Sequence, residues 1–167
     1  MSIVNYVKEN GRLPEKVCQE IDILGNAFKD ADDPVFQTER MKIIVEKPWW
    51  RGINNTRMFV DVTGVLHVAD DRADMVFDFG PDDKSRIHFV VMCHEAYHSW
   101  QFQHQGATRS AVEWAKTVLR SLIGKGRFYD HLSSPYEKQA MKFESFCLHA
   151  MQPFNPVWRD ASKRMTS

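Results

Sequence analysis

Apolar residues recur along the chain at two different spacings. Val17, Ile21, Leu24 and Phe28 fall three or four positions apart, the interval that gathers side chains on one face of an α-helix. Pro14 suits the first turn of that helix and ADDP at 31–34 breaks it, so the pattern predicts a helix over about 14–31. Four short β-branched or aromatic runs follow: MKIIVE at 41–46, TRMFVDV at 56–62, VLHV at 65–68 and MVFDF at 75–79, with turn residues such as Thr63-Gly64 between several of them. They predict a small, mostly antiparallel sheet. Next, IHFVVMCHEAYHSWQFQ reads as one helix, capped by Asp83 or Ser85 and ending near Gly106. It is apolar on nearly every side, so it belongs at the centre of the molecule. A third helix over about 108–123 carries Trp114, Val118, Leu119 and Leu122, and a fourth starts at SSPYEK and runs to about Met151. Helix, sheet, then three helices is an α+β order, and no repeat or Gly/Ser-rich linker divides residues 1–167 into more than one domain.

Composition narrows the classes of function. With 167 residues, 43% of them hydrophobic, the chain can bury a core without disulfide or metal staples. Its 22 basic and 22 acidic residues cancel, so no overall field favours nucleic acid or an anionic membrane, and no nucleic-acid partner is expected. The three cysteines, Cys18, Cys93 and Cys147, are odd in number and form no CxxC pair, which argues against a disulfide framework or a thiolate metal site and for a reducing compartment. The first sixteen residues hold no apolar stretch of signal-peptide length. FVVMC at 89–93, the longest unbroken apolar run, is far too short to span a bilayer. A cytoplasmic protein with no membrane partner is the expectation, and its chemistry has to reside in a site.

That site is announced by His94-Glu95-Ala96-Tyr97-His98. Residues four apart on a helix lie one turn above each other, so the two imidazoles point the same way and can share one tetrahedral ion. Glu95, next to His94 around the helix, is displaced enough to miss the ion yet near enough to take a proton from a water that the ion activates, the position of a general base. On a buried helix these polar groups also need partners, and a metal ion supplies them.

A third ligand has three candidates. His104 stands six residues after His98, but Gln101 occupies the position where a glycine would let the chain turn back. In an unbroken helix His104 lies about 240° around from His98. The other two lie in SPYEKQAMKFESFCLHAM, where Glu137, Ala140, Met141, Glu144, Leu148 and Met151 share a stripe, so two carboxylates interrupt a face that should be buried. Ser134-Pro135-Tyr136-Glu137 also matches a capping box, a competing use for Glu137 but not for Glu144.

HExxH followed by Glu137-x-x-Ala140-x-x-Phe143 resembles the small gluzincin, or minigluzincin, zinc metallopeptidases over about residues 87–151. The resemblance implies a zincin-like fold, Zn2+ held by His94, His98 and Glu137, Glu95 as general base, and Ala140 as the small residue that lets two helices approach. It implies hydrolysis of peptide bonds in a peptide or protein substrate. A non-catalytic structural or interaction module with the same fold, or a zinc hydrolase of a non-peptide amide, are the alternatives. Met141 departs from the family pattern, which often has Asp or Asn there to orient a ligand; Glu144, one turn on, is the residue able to replace it. Weaker signals are the Trp49-Trp50 pair, read as core or interface, and Tyr129, His131 and Tyr136 as oxyanion donors. The basic stretch containing Arg109, Arg120, Lys125 and Arg127 reads as a solvated helix face and a plausible wall of the cleft.

Overall fold

The computed structural model describes residues 2–52, 57–105, 112, 135–152 and 156–167. It is a mixed α+β arrangement, rich in helix, with one three-stranded sheet. The elements in chain order are α1 (Ile3–Asn10), α2 (Glu15–Phe28), β1 (Ile43–Glu46), β2 (Met58–Val60), β3 (Leu66–Ala69), α3 (Ala73–Val76), α4 (Asp83–Gln105), α5 (Pro135–Ala150) and α6 (Pro156–Thr166). The helix expected over 108–123, with Tyr129, His131 and the basic stretch, lies outside the described residues.

α1 was not expected. Ser2 caps it, its hydroxyl accepting from the Asn5 N–H at 3.3 Å, and Gly11 closes it at φ 64. α2 stops at Phe28, short of the predicted end, because Asn26 holds the returning chain by bonds to Phe36 N and O at 2.9 and 3.1 Å. Phe36 packs so closely on α2 that a Cβ on Gly25 would stand 2.3 Å from its ring.

The sheet order is β1-β3-β2, with β1 parallel and β2 antiparallel to β3. The expectation of a mostly antiparallel sheet is therefore corrected to a mixed one. Only β2 and β3 are joined by a tight turn, and β1 pairs on the far side of β3. MVFDF is not a strand either. Ala73, Val76 and Phe77 are buried at helical spacing in and just after the single turn of α3, while Phe79 packs edge-on against Phe89 at 5.6 Å.

α4 is the central element. Its cap is Asp82, not Asp83 or Ser85: the Asp82 carboxylate accepts from Ser85 N at 3.0 Å and Ser85 Oγ at 2.8 Å, leaving Asp83 to pair with Arg86. α4 packs most extensively on α5. Fully buried Ala140 and Phe143 lie at that contact, and the Phe143 ring meets Tyr97, Phe28 and Phe36 at 5.1–5.7 Å. Offset aromatic packing of this kind contributes about 0.5–1.5 kcal/mol per pair beyond area burial. α6, also unexpected, buries Trp158, Ala161, Ser162 and Met165 at i, i+3, i+4, i+7. Among the described residues no helix is long and apolar enough to cross a membrane.

The β2–β3 turn ties the sheet to α4. Asp61 Oδ1 accepts from Thr63 N, Thr63 Oγ1 and Val65 N, Gly64 turns at φ 83, and the buried Ser99 hydroxyl of α4 donates to Gly64 O at 2.7 Å. Trp50 is buried edge-on against Phe59 at 4.9 Å, whereas Trp49 is exposed and donates to Glu46 at 3.2 Å.

Candidate metal centre

Helical geometry places His94 and His98 on one face of α4, and the α4–α5 packing brings Glu137 from the first turn of α5 to the same point. His94 Nε2 and His98 Nε2 stand 3.1 Å apart. Glu137 Oε1 lies 3.3 Å from the former and Glu137 Oε2 3.2 Å from the latter. Ligand atoms at 2.0–2.1 Å from a tetrahedral ion are separated by about 3.3–3.4 Å, close to the spacing between the imidazoles and between each imidazole and the Glu137 oxygen that faces it. Among the described residues this is the group able to hold a metal ion.

The chemistry of the donors fits as well as the spacing. His94 Nδ1 faces Glu144 Oε2 at 2.9 Å, and His98 Nδ1 faces Gln101 Oε1 at 3.1 Å. Each Nδ1 meets an acceptor and so carries the proton, which leaves a lone pair on each Nε2. Two lone pairs and a carboxylate then converge within 3.3 Å, an arrangement that a cation between them would satisfy. Side-chain exposures of 11%, 13% and 18% for His94, His98 and Glu137 leave the triad partly accessible to solvent. Structural zinc sites are closed by a fourth protein ligand, whereas catalytic ones keep a position open.

In the metal-free protein a proton takes the cation's place. Burial pulls the His94 pKa down, but hydrogen bonds to Glu137 and Glu144 and the charges of Glu95 and Glu137 outweigh it, raising it to about 10. Burial pushes Glu137 up, and its bonds to both imidazoles more than offset that, holding the carboxyl well below the usual carboxylate range. Glu95 moves the other way: burial raises its pKa against the pull of His98 and His94, and the Val60 N–H of β2, turned towards its carboxylate, adds a smaller pull in the same sense. A carboxylate raised towards neutrality is suited to taking and returning a proton.

The sequence-derived residues separate cleanly. His94, His98 and Glu137 come together, with Glu95 beside them; Glu144 bonds to His94 rather than joining the ligands. His104 stacks on Trp100 at 5.3 Å and is not part of the group. Met141 is exposed, and Tyr136 stacks on Phe102 at 6.4 Å. Gln101, read from the sequence only as the residue that replaces a turn glycine, is fully buried. It fixes His98 through its oxygen and spans to Gln139 Oε1 at 2.9 Å through its nitrogen. The one available signal was a polar side chain three residues after a ligand on an otherwise apolar helix. The cysteines take no part: burial and the neighbouring Asp22 and Glu39 push Cys18 up to about 12, and burial and Cys147 hold Cys93 above its ordinary value. No protein-family profile, curated protein or solved structure matches the chain.

Proposed function

We propose that the chain is a zinc-dependent peptidase of the small gluzincin type, with His94, His98 and Glu137 as ligands and Glu95 as general base. The observation that carries this reading is the convergence of three acceptors on one partly accessible point, with Glu95 alongside. Zinc held there supplies a Lewis acid that polarises a peptide carbonyl and acidifies water towards a pKa of about 7. Glu95 takes the proton of the attacking water and returns it to the leaving amine. β2 is an edge strand whose odd residues bond to β3, as Ala69 N to Arg57 O and Asp61 N to Val65 O show. The backbone groups of Met58 and Val60 therefore point away from the sheet, where an extended substrate can add a strand.

The test is metal content followed by turnover. Protein purified without added zinc is expected to carry close to one ion per chain, and Glu95→Gln is expected to keep ion and fold while losing cleavage of unfolded polypeptide. A folded, metal-free protein indifferent to chelators overturns the metal assignment. Equal cleavage by wild type and Glu95→Gln overturns the role of Glu95.

A further inference from the structure

A cavity of about 500 Å³ opens beside Glu95 and runs along α4 toward its N-terminus. Val91, His88, Ile87 and Lys84 line it four, seven, eight and eleven residues before Glu95, one face of the helix, while Met58 of β2 and Val76 of α3 complete an apolar floor. Two cations stand in the wall, Lys84 on α4 and Arg57 just before β2. Both are exposed, and among the described residues neither is ion-paired. Of the carboxylates near this end only Asp83 is ion-paired among the described residues, with Arg86; Asp82 caps α4 and Asp78 accepts from Gly80 N, so both keep their charge within reach of His88 but neither pairs with Lys84 or Arg57. His88 is buried, and its Nδ1 has no hydrogen-bond partner among the described residues. A lone pair is cheaper to leave unpartnered there than an N–H, so the proton sits on Nε2 and the ring presents a neutral donor.

An apolar trough ending in two unpaired cations and a neutral donor suits a group with an aliphatic stem and an anionic tip. At 1.5 Å per helical residue, His88 and Lys84 lie roughly 10 and 16 Å from Glu95 along the axis, about three residues of extended chain for the nearer of them. We propose that this cavity is the specificity pocket of the peptidase, taking a carboxylate on a short apolar stem within about three residues of the bond that is cut. That carboxylate is either an acidic side chain or the free C-terminus of the substrate. The proposal rests on the peptidase reading for its purpose, but its binding chemistry is measurable without turnover.

The experiment uses zinc-loaded, full-length Glu95→Gln protein and four short peptides followed by NMR titration: acetyl-Ala-Ala-Glu-amide, its Gln and Lys counterparts, and the Gln peptide with a free C-terminus. The Glu-amide peptide or the free-acid peptide, whichever source the pocket serves, is expected to bind about tenfold or more tightly than the Gln and Lys amides, as charge-assisted hydrogen bonds allow. The Arg57→Gln/Lys84→Gln double variant, both positions being exposed, is expected to keep metal content and melting temperature and to lose that preference. Equal binding of all four peptides, no binding of any, or a preference that survives the double variant overturns the proposal. Each of these results leaves the peptidase reading to its own test.

Discussion

Glu144→Ala separates two opposing effects of one carboxylate. Glu144 Oε2 lies 2.9 Å from His94 Nδ1, and its side chain is 34% exposed. A hydrogen bond to a charged group contributes about 1.5–3 kcal/mol when buried, and solvent screening at this exposure reduces that to about 1.5–2 kcal/mol. Its loss weakens the ligand field by roughly 10- to 30-fold in zinc affinity, within the range found for partners that orient metal-bound histidines. The same carboxylate also raises the proton affinity of His94, and below about pH 10 a proton competes with the ion for that ring. Removing Glu144 relieves part of this competition. The deficit of the variant relative to wild type is therefore expected to be smallest at low pH and to grow as pH rises, reaching the full 10- to 30-fold only above about pH 10, where the proton no longer competes. Competition titrations with a chromophoric chelator at pH 6, 7.5 and 9 measure this, and Glu144→Gln, which keeps an acceptor without the charge, is expected to fall between the two. A deficit that shrinks as pH rises refutes the argument.

Two further outcomes follow from the same geometry. Glu137→Ala is expected to weaken zinc binding by at least a hundredfold and His104→Ala by less than threefold, since only Glu137 faces both imidazoles; comparable losses in a chelator titration would reassign the third ligand. In the metal-free protein, the raised His94 pKa contributes stability that is complete below its ordinary 6.5 and lost as pH rises through about 10. The depressed Glu137 pKa contributes stability present above its ordinary 4.5 and lost as pH falls. Thermal melts of metal-free wild type minus those of Glu137→Gln should therefore peak between about pH 4.5 and 6.5 and decline on both sides, and a flat difference curve would show that the ring and the carboxylate are uncoupled.

The elements that carry the site were legible because their patterns are extreme. α4 has no polar face, so it had to be central; on α5 the two carboxylates drew the eye to the right helix, although its buried face proved to be Ala140, Phe143 and Cys147, with Met141 of the expected stripe exposed. The sheet was less legible because a period of two marks a strand without naming its partner; the Ile43↔Leu66 parallel register is a tertiary fact. MVFDF misled for a different reason. Its bulky residues are strand formers by type, but Ala73, Val76 and Phe77 are buried at helical spacing once the preceding alanine is counted, and only Phe79 is buried beyond the turn. α6 shows the same spacing in Trp158, Ala161, Ser162 and Met165, and passed unnoticed because a serine and an alanine supply half of the face. Gln101 was invisible for a third reason: glutamine is a common surface residue of helices, and only the burial of both its ends between α4 and α5 turns it into a support for His98.

The edge strand is only three residues long. Met58 and Val60 together offer four outward backbone groups, and one of them, the Val60 N–H, is turned towards Glu95. The remaining three provide about 0.5–1.5 kcal/mol net apiece, which after the cost of association amounts to millimolar attraction at best. For the activity proposed, the main chain of a target would thus be held too weakly to be pulled out of a folded protein. Cleavage would be limited by how often the target frays on its own, so the rate of destruction of a given protein would report its local unfolding equilibrium rather than its abundance of suitable sequences.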